Sequence, residues 1–213
     1  MTTTVPISNE SMARAITRRT LRETAEHQRE ATSRAVRRYA PTRQRRGPLF
    51  RAGVRFMDDC LRGRVLVREV LGAGKAALAS WIFWEVQGEP PRPAVRLATL
   101  DGRCGSLTET DLVRVSQHAL QRLFQRLRTT DPARVMRELL PAALSAARLY
   151  AQARAHGERY AVHLRVPTGE GEAALVWEDA GFLVTTWIHH DSMNDQRCSQ
   201  WGLAVAQDHL LCA

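Results

Sequence analysis

The sequence predicts an α+β protein, with N-terminal helices followed by two helices packed on a small antiparallel β-meander. Three observations carry that expectation. Residues 10–39 are rich in Arg, Ala, Glu and Gln and contain no Gly or Pro. Ser116 stands just before an apolar stripe at helical spacing, Leu120, Leu123, Phe124 and Leu127. After Gly157 the period shortens to two: Tyr160, Val162, Leu164 and Val166 alternate with Ala161, His163 and Arg165, and the turns that follow allow only antiparallel connections.

The elements follow in order. Residues 1–9 are polar. In 10–39 the pairs Glu10–Arg14 and Glu30–Arg34 support a helix in the favourable Glu-first order. Its large apolar residues are only Met12, Ile16, Leu21 and Val36, which predicts a solvated or partner-dependent helix. Pro41 and Arg43-Gln44-Arg45-Arg46-Gly47-Pro48 form a basic linker. Residues 49–89 are apolar enough to pack, and 75–85, with Leu78, Trp81, Ile82 and Trp84, read better as a helix than as a strand. Residues 88–93 are a loop, 94–100 alternate loosely, and Asp101-Gly102 is a turn. Residues 112–115 are extended and lead into a helix that Ser116 caps. Thr130 or Asp131 caps the next helix, with Pro132 in its first turn and a break at Pro141. Strands at 160–166, 173–178 and 182–189 complete the meander, and 202–206 read as a fourth.

Composition narrows the function. The chain has 213 residues, 44% hydrophobic and 25% charged, which excludes a disordered or collagen-like chain. No apolar run reaches the length of a membrane span, and the first ten residues lack the apolar core of a secretory signal. Cys60, Cys104, Cys198 and Cys212 form no CxxC pair, so buried or incidental thiols in a reducing compartment are expected. The charge is local: residues 1–51 hold twelve arginines against four glutamates, whereas the rest of the chain is nearly balanced. Three parts are therefore expected: an Arg-rich arm over 1–51, a helical or mixed segment over 52–106, and an α+β module over 107–213. Arg43, Arg45 and Arg46 are the arm's candidate nucleic-acid contacts, since guanidinium groups suit phosphate, with a docking arm or a simply soluble charged helix as the other readings.

The strongest constellation is Ser116-Gln117-His118-Ala119-Leu120-Gln121-Arg122-Leu123-Phe124-Gln125-Arg126. His118, Arg122 and Arg126 fall at i, i+4 and i+8 and share one helix face, offset from the apolar stripe. That face offers a proton-transfer group beside two anion clamps. On spacing alone, the competing reading is a solvated surface helix. On the third strand of the meander stand Val184-Thr185-Thr186-Trp187-Ile188, then His189 and His190. Alternation lets only one residue of each neighbouring pair point to a given face, and Thr185 shares its face with His189.

A strand ending in Ser-x-His, a helix reading His-x-x-x-Arg-x-x-x-Arg, a second helix and a meander ending Val-Thr-Thr-Trp-Ile resemble the BECR ribonuclease superfamily over roughly residues 112–190. That superfamily joins barnase-like, EndoU-like, colicin-nuclease-like and RelE-like toxins. The resemblance implies a metal-independent endoribonuclease, a toxin or effector that acts on RNA or tRNA and needs no cofactor. His118, Arg122, Arg126, Thr185 and His189 would be its catalytic residues. It also implies a cognate immunity protein or antitoxin as partner, and action in the cytoplasm, or in a target-cell cytoplasm after delivery. The rival reading is a non-enzymatic basic module that binds nucleic acid or docks a protein.

Other motifs are weaker. Gly72-Ala73-Gly74-Lys75 lacks both the first glycine and the final Ser/Thr of a phosphate loop. His189-His190-Asp191 with Cys198, or His209 with Cys212, has no recognised four-ligand spacing.

Overall fold

The computed structural model describes residues 10–39, 49–72, 77–89, 91–156, 163–178 and 181–211. Arg43, Arg45 and Arg46, and the residues 73–76 of the glycine-rich motif, lie outside the described residues. The chain runs α1 (Glu10–Tyr39), α2 (Leu49–Cys60), β1 (Val65–Leu71), β2 (Leu78–Gln87), β3 (Arg92–Asp101) and β4 (Leu107–Val115). It continues with α3 (Gln117–Arg126), α4 (Pro132–Glu138), α5 (Leu140–His156), β5 (His163–Pro167), β6 (Gly171–Glu178) and β7 (Gly181–His189). A 3-10 turn, His190–Ser192, then leads into α6 (Asp195–Leu211).

The protein is α+β, but the expected arrangement of N-terminal helices and two helices on a small meander is overturned. One mixed sheet of seven strands has the order β1-β2-β3-β4-β7-β6-β5. β1 and β3 flank β2 antiparallel, β6 pairs antiparallel with both β5 and β7, and β4 pairs parallel with β7. Four of the helices follow residue 116, so the helices are not concentrated at the N-terminus.

Two local readings account for the difference. Residues 75–85 were expected to be helical, yet 78–87 form β2. Trp81, Phe83 and Trp84 are all buried, and strand alternation puts Trp81 and Phe83 on one face and Trp84 on the other. A strand buried on both faces shows no period of two, so periodicity cannot separate it from a buried helix. Residues 202–206 were expected to be a strand but lie within α6. The missed signal is Asn194, whose side-chain oxygen accepts the Arg197 N–H at 2.9 Å and caps that helix.

Residues 21–111 form one compact unit, and residues 112–213 with 1–20 form the other. The core of the first unit joins Met57 and Cys60 of α2, Leu61, Trp81 and Phe83 of β2, Ala98 and Leu100 of β3, and Ala35 of α1. The Trp81 indole N–H is satisfied by Asp58 at 2.9 Å. α1 buries Ala13, Thr17, Leu21, Gln28 and Ala35, a stripe of small and polar residues at spacings of four and seven. Gln28 accepts the Val86 N–H at 2.8 Å. α1 is therefore a packed element, although Ile16 is only half-buried and Val36 is exposed.

In the second unit, α3 packs on β7 and buries Ala119, Leu120, Gln121, Leu123 and Phe124. Among the described residues no helix is long and apolar enough to cross a membrane.

Candidate active site

The junction between β4 and α3 fixes one end of the site. Ser116 caps α3 by accepting the Ala119 N–H at 3.1 Å, and its hydroxyl donates to the Thr185 carbonyl at 3.0 Å. Its backbone N–H donates to the Val184 carbonyl, also at 3.0 Å. One serine thus ends a strand, starts a helix and ties both to β7. With the apolar stripe turned inward, His118, Arg122 and Arg126 are all exposed.

The five predicted catalytic residues lie on these two elements but do not form one tight group. His118 stands beside the Ser116–Thr185 junction. Arg126 lies two helical turns on, about 12 Å along the axis. Its positive charge bears on His189 at the far end of β7. That charge is the weakest of the influences on the His189 ring, and His118 stands at the other end of the helix.

Thr185 occupies a β-bulge. Leu175 of β6 pairs with Val184 and Ala174 pairs with Thr186, which leaves Thr185 as the extra residue. Its hydroxyl donates to the Ala174 carbonyl at 3.2 Å. Beyond the bulge, alternation places Thr185, Trp187 and His189 on one face. The rings of Trp187 and His189 meet edge-on, with centroids 5.7 Å apart.

Around His189 the structure assembles groups that sequence reasoning missed. The hairpin between β5 and β6 delivers Glu170, whose carboxylate lies 3.9 Å from His189 Nε2 and 3.1 Å from an Arg134 guanidinium nitrogen. Glu138 of α4 accepts the Glu170 N–H at 2.7 Å. His190 stacks on His189 at 4.2 Å and on Trp201 of α6 at 5.1 Å. The signal was in the register: Gly171 pairs with His189, so the residue before it must lie beside the histidine pair. The sequence 167–171 read only as a turn.

The electrostatics follow from this packing. Burial lowers the pKa of His189, and the charges of His190 and Arg126 lower it further, while Asp191 and Glu170 act in the opposite direction. Glu138 is pushed up by burial, against hydrogen bonds from Thr168 and the Glu170 N–H. One ring nitrogen from each of His189 and His190 and one carboxylate oxygen of Asp191 lie within 4.8 Å of one another. The arrangement offers a neutral imidazole and a neighbouring carboxylate at the end of the strand on which α3 packs.

No protein-family model matches this chain, and no curated protein or solved structure matches it.

Proposed function

We propose that the unit carrying α3 and β7 is a metal-independent endoribonuclease, a toxin or effector of the BECR type, held in check by a cognate immunity protein or antitoxin. The observation that supports this reading is that His189, with the Glu170 carboxylate 3.9 Å from its Nε2, ends the strand against which the arginine-bearing helix α3 packs. In the proposed reaction, RNA phosphate lies along Arg122 and Arg126. His189 takes the proton of the 2′-hydroxyl, and that oxygen attacks the adjacent phosphorus. The 5′-oxygen leaves with a proton taken from water, and a cyclic 2′,3′-phosphate remains. Arg126 stabilises the charge that develops on the phosphate oxygens. The Asp191 N–H, donated to His189 Nδ1 at 3.2 Å, orients the ring, and Glu170 supplies a negative charge 3.9 Å from Nε2. His118, at the other end of the face, holds a neighbouring stretch of the same strand.

A second reading, RNA binding without cleavage, draws on one observation: the Thr185 hydroxyl is already committed to the Ala174 carbonyl. Single-turnover cleavage of an RNA oligonucleotide separates the two. Arg126→Ala is expected to slow cleavage by about 10²–10³-fold, and a DNA strand of the same sequence should not be cut. Tight RNA binding with no cleavage by the wild type would leave the binding reading in its place.

A further inference from the structure

We propose that His189, His190 and Asp191 form a binding site for a divalent transition-metal ion of the zinc or cobalt class. The first donor is His190. Its Nδ1 lies 2.9 Å from the Glu170 carbonyl oxygen, which can only accept, so Nδ1 must carry a proton. In the neutral ring, Nε2 then presents a lone pair. Facing that lone pair at 3.0 Å is Asp191 Oδ1, which is also an acceptor. Two acceptors at that separation call for a proton or a metal ion between them. The spacing is about that of adjacent donors around an ion with bonds near 2.1 Å.

The other donors converge on the same place. Asp191 Oδ2 lies 3.4 Å from His189 Nδ1. That nitrogen accepts the Asp191 N–H at 3.2 Å, a hydrogen bond that an ion taking the same lone pair would replace. A backbone carbonyl on the far nitrogen of a histidine is the arrangement that fixes tautomer and ring orientation in metal sites.

Both rings are held before any ion arrives. His190 is sandwiched between His189 and Trp201, 7° from parallel with the indole, and Trp201 Nε1 is anchored on the Thr168 carbonyl at 3.0 Å. Asp191 is 74% exposed, which leaves an open path and room for water to complete the shell. Two imidazoles and one carboxylate select zinc-like ions over magnesium or calcium, which prefer all-oxygen shells. The site shares His189 with the proposed cleavage, in which the ion takes no part, so a bound ion would oppose the use of that ring as a base.

The test uses metal-free, full-length protein titrated with Zn²⁺ by calorimetry and with Co²⁺ by visible absorption. One ion should bind, excess Mg²⁺ should not displace it, and His190→Gln and Asp191→Asn should each weaken it by about tenfold or more. Asp191→Asn changes an exposed side chain, so an unchanged melting curve should accompany its loss of affinity. The proposal is overturned by the absence of saturable binding, or by equal binding in the two variants, which would put the ion elsewhere. It is also overturned if ring ¹⁵N spectra show both His190 nitrogens protonated and unmoved by Zn²⁺, since a proton would then fill the gap.

Discussion

Glu138 shows how a single side chain ties the site to stability. It receives the Glu170 N–H and so supports the turn beside His189, yet burial raises its pKa in the folded protein. A carboxyl with a raised folded pKa favours folding in its protonated form. That contribution is complete below the pKa of an unfolded glutamate and is lost as pH rises through the folded value. Glu138→Gln keeps an acceptor for the Glu170 N–H and removes the titration. Denaturant midpoints measured from about pH 4 to 8 should therefore fall less with rising pH in the variant than in the wild type. Two backbone positions give sharper expectations. Arg128 follows α3 with φ of 47°, the left-handed region that disfavours any side chain, so Arg128→Gly should stabilise the protein by about 1 kcal/mol. At Gly171 an added Cβ would meet the Ile188 carbonyl at 2.3 Å and the Trp187 ring at 2.6 Å. Gly171→Ala should cost about 2–3 kcal/mol, read from thermal or denaturant unfolding, and should disturb the adjacent His189.

At the level of elements, the β4–α3 junction is the part most exposed to a single change. Ser116→Ala removes the cap and the bond to the Thr185 carbonyl together, and should cost about 1–2 kcal/mol in denaturant unfolding. This junction was legible in the sequence because capping chemistry is local: Ser116, the inward stripe and the exposed His118–Arg122–Arg126 face all follow from spacing. β2 was not legible in this way, because Trp81, Phe83 and Trp84 are buried on two faces and leave no alternation to read. The full sheet was hidden for a related reason. The parallel pairing of Val113–Val115 of β4 with Phe182–Val184 of β7 joins residues far apart in the chain, and no local pattern announces such a contact. The site divides along the same line. The α3 face was readable, whereas Glu170, Glu138 and Trp201 come from a hairpin turn and two other helices and needed the register to be found.

On the scale of the whole molecule, charge and packing overlap in α1. The net charge of +9 is concentrated in residues 1–51, and Arg18, Arg22 and Arg29 of α1 are exposed. Phosphate contacts release counterions, so RNA affinity should fall steeply with salt, and replacing these three arginines with glutamine should flatten that slope without unfolding the chain. Deleting the first 51 residues is a different perturbation. It removes Ala35 from the core of residues 21–111 and Gln28 from the Val86 N–H. The truncated chain should therefore melt at a lower temperature, so loss of RNA binding in it would not isolate a charge effect.

The central claim is that α3 and the end of β7 cut RNA by way of its own 2′-hydroxyl. It is tested most directly by incubating the full-length protein and a folded His189→Ala variant with RNA in excess chelator, and by determining the chemistry of the new 3′ ends. The wild type should yield defined fragments ending in cyclic 2′,3′-phosphate, and the variant should yield none. Undegraded RNA with the wild type, cleavage only when Mg²⁺ is restored, or undiminished cleavage by His189→Ala would contradict the claim.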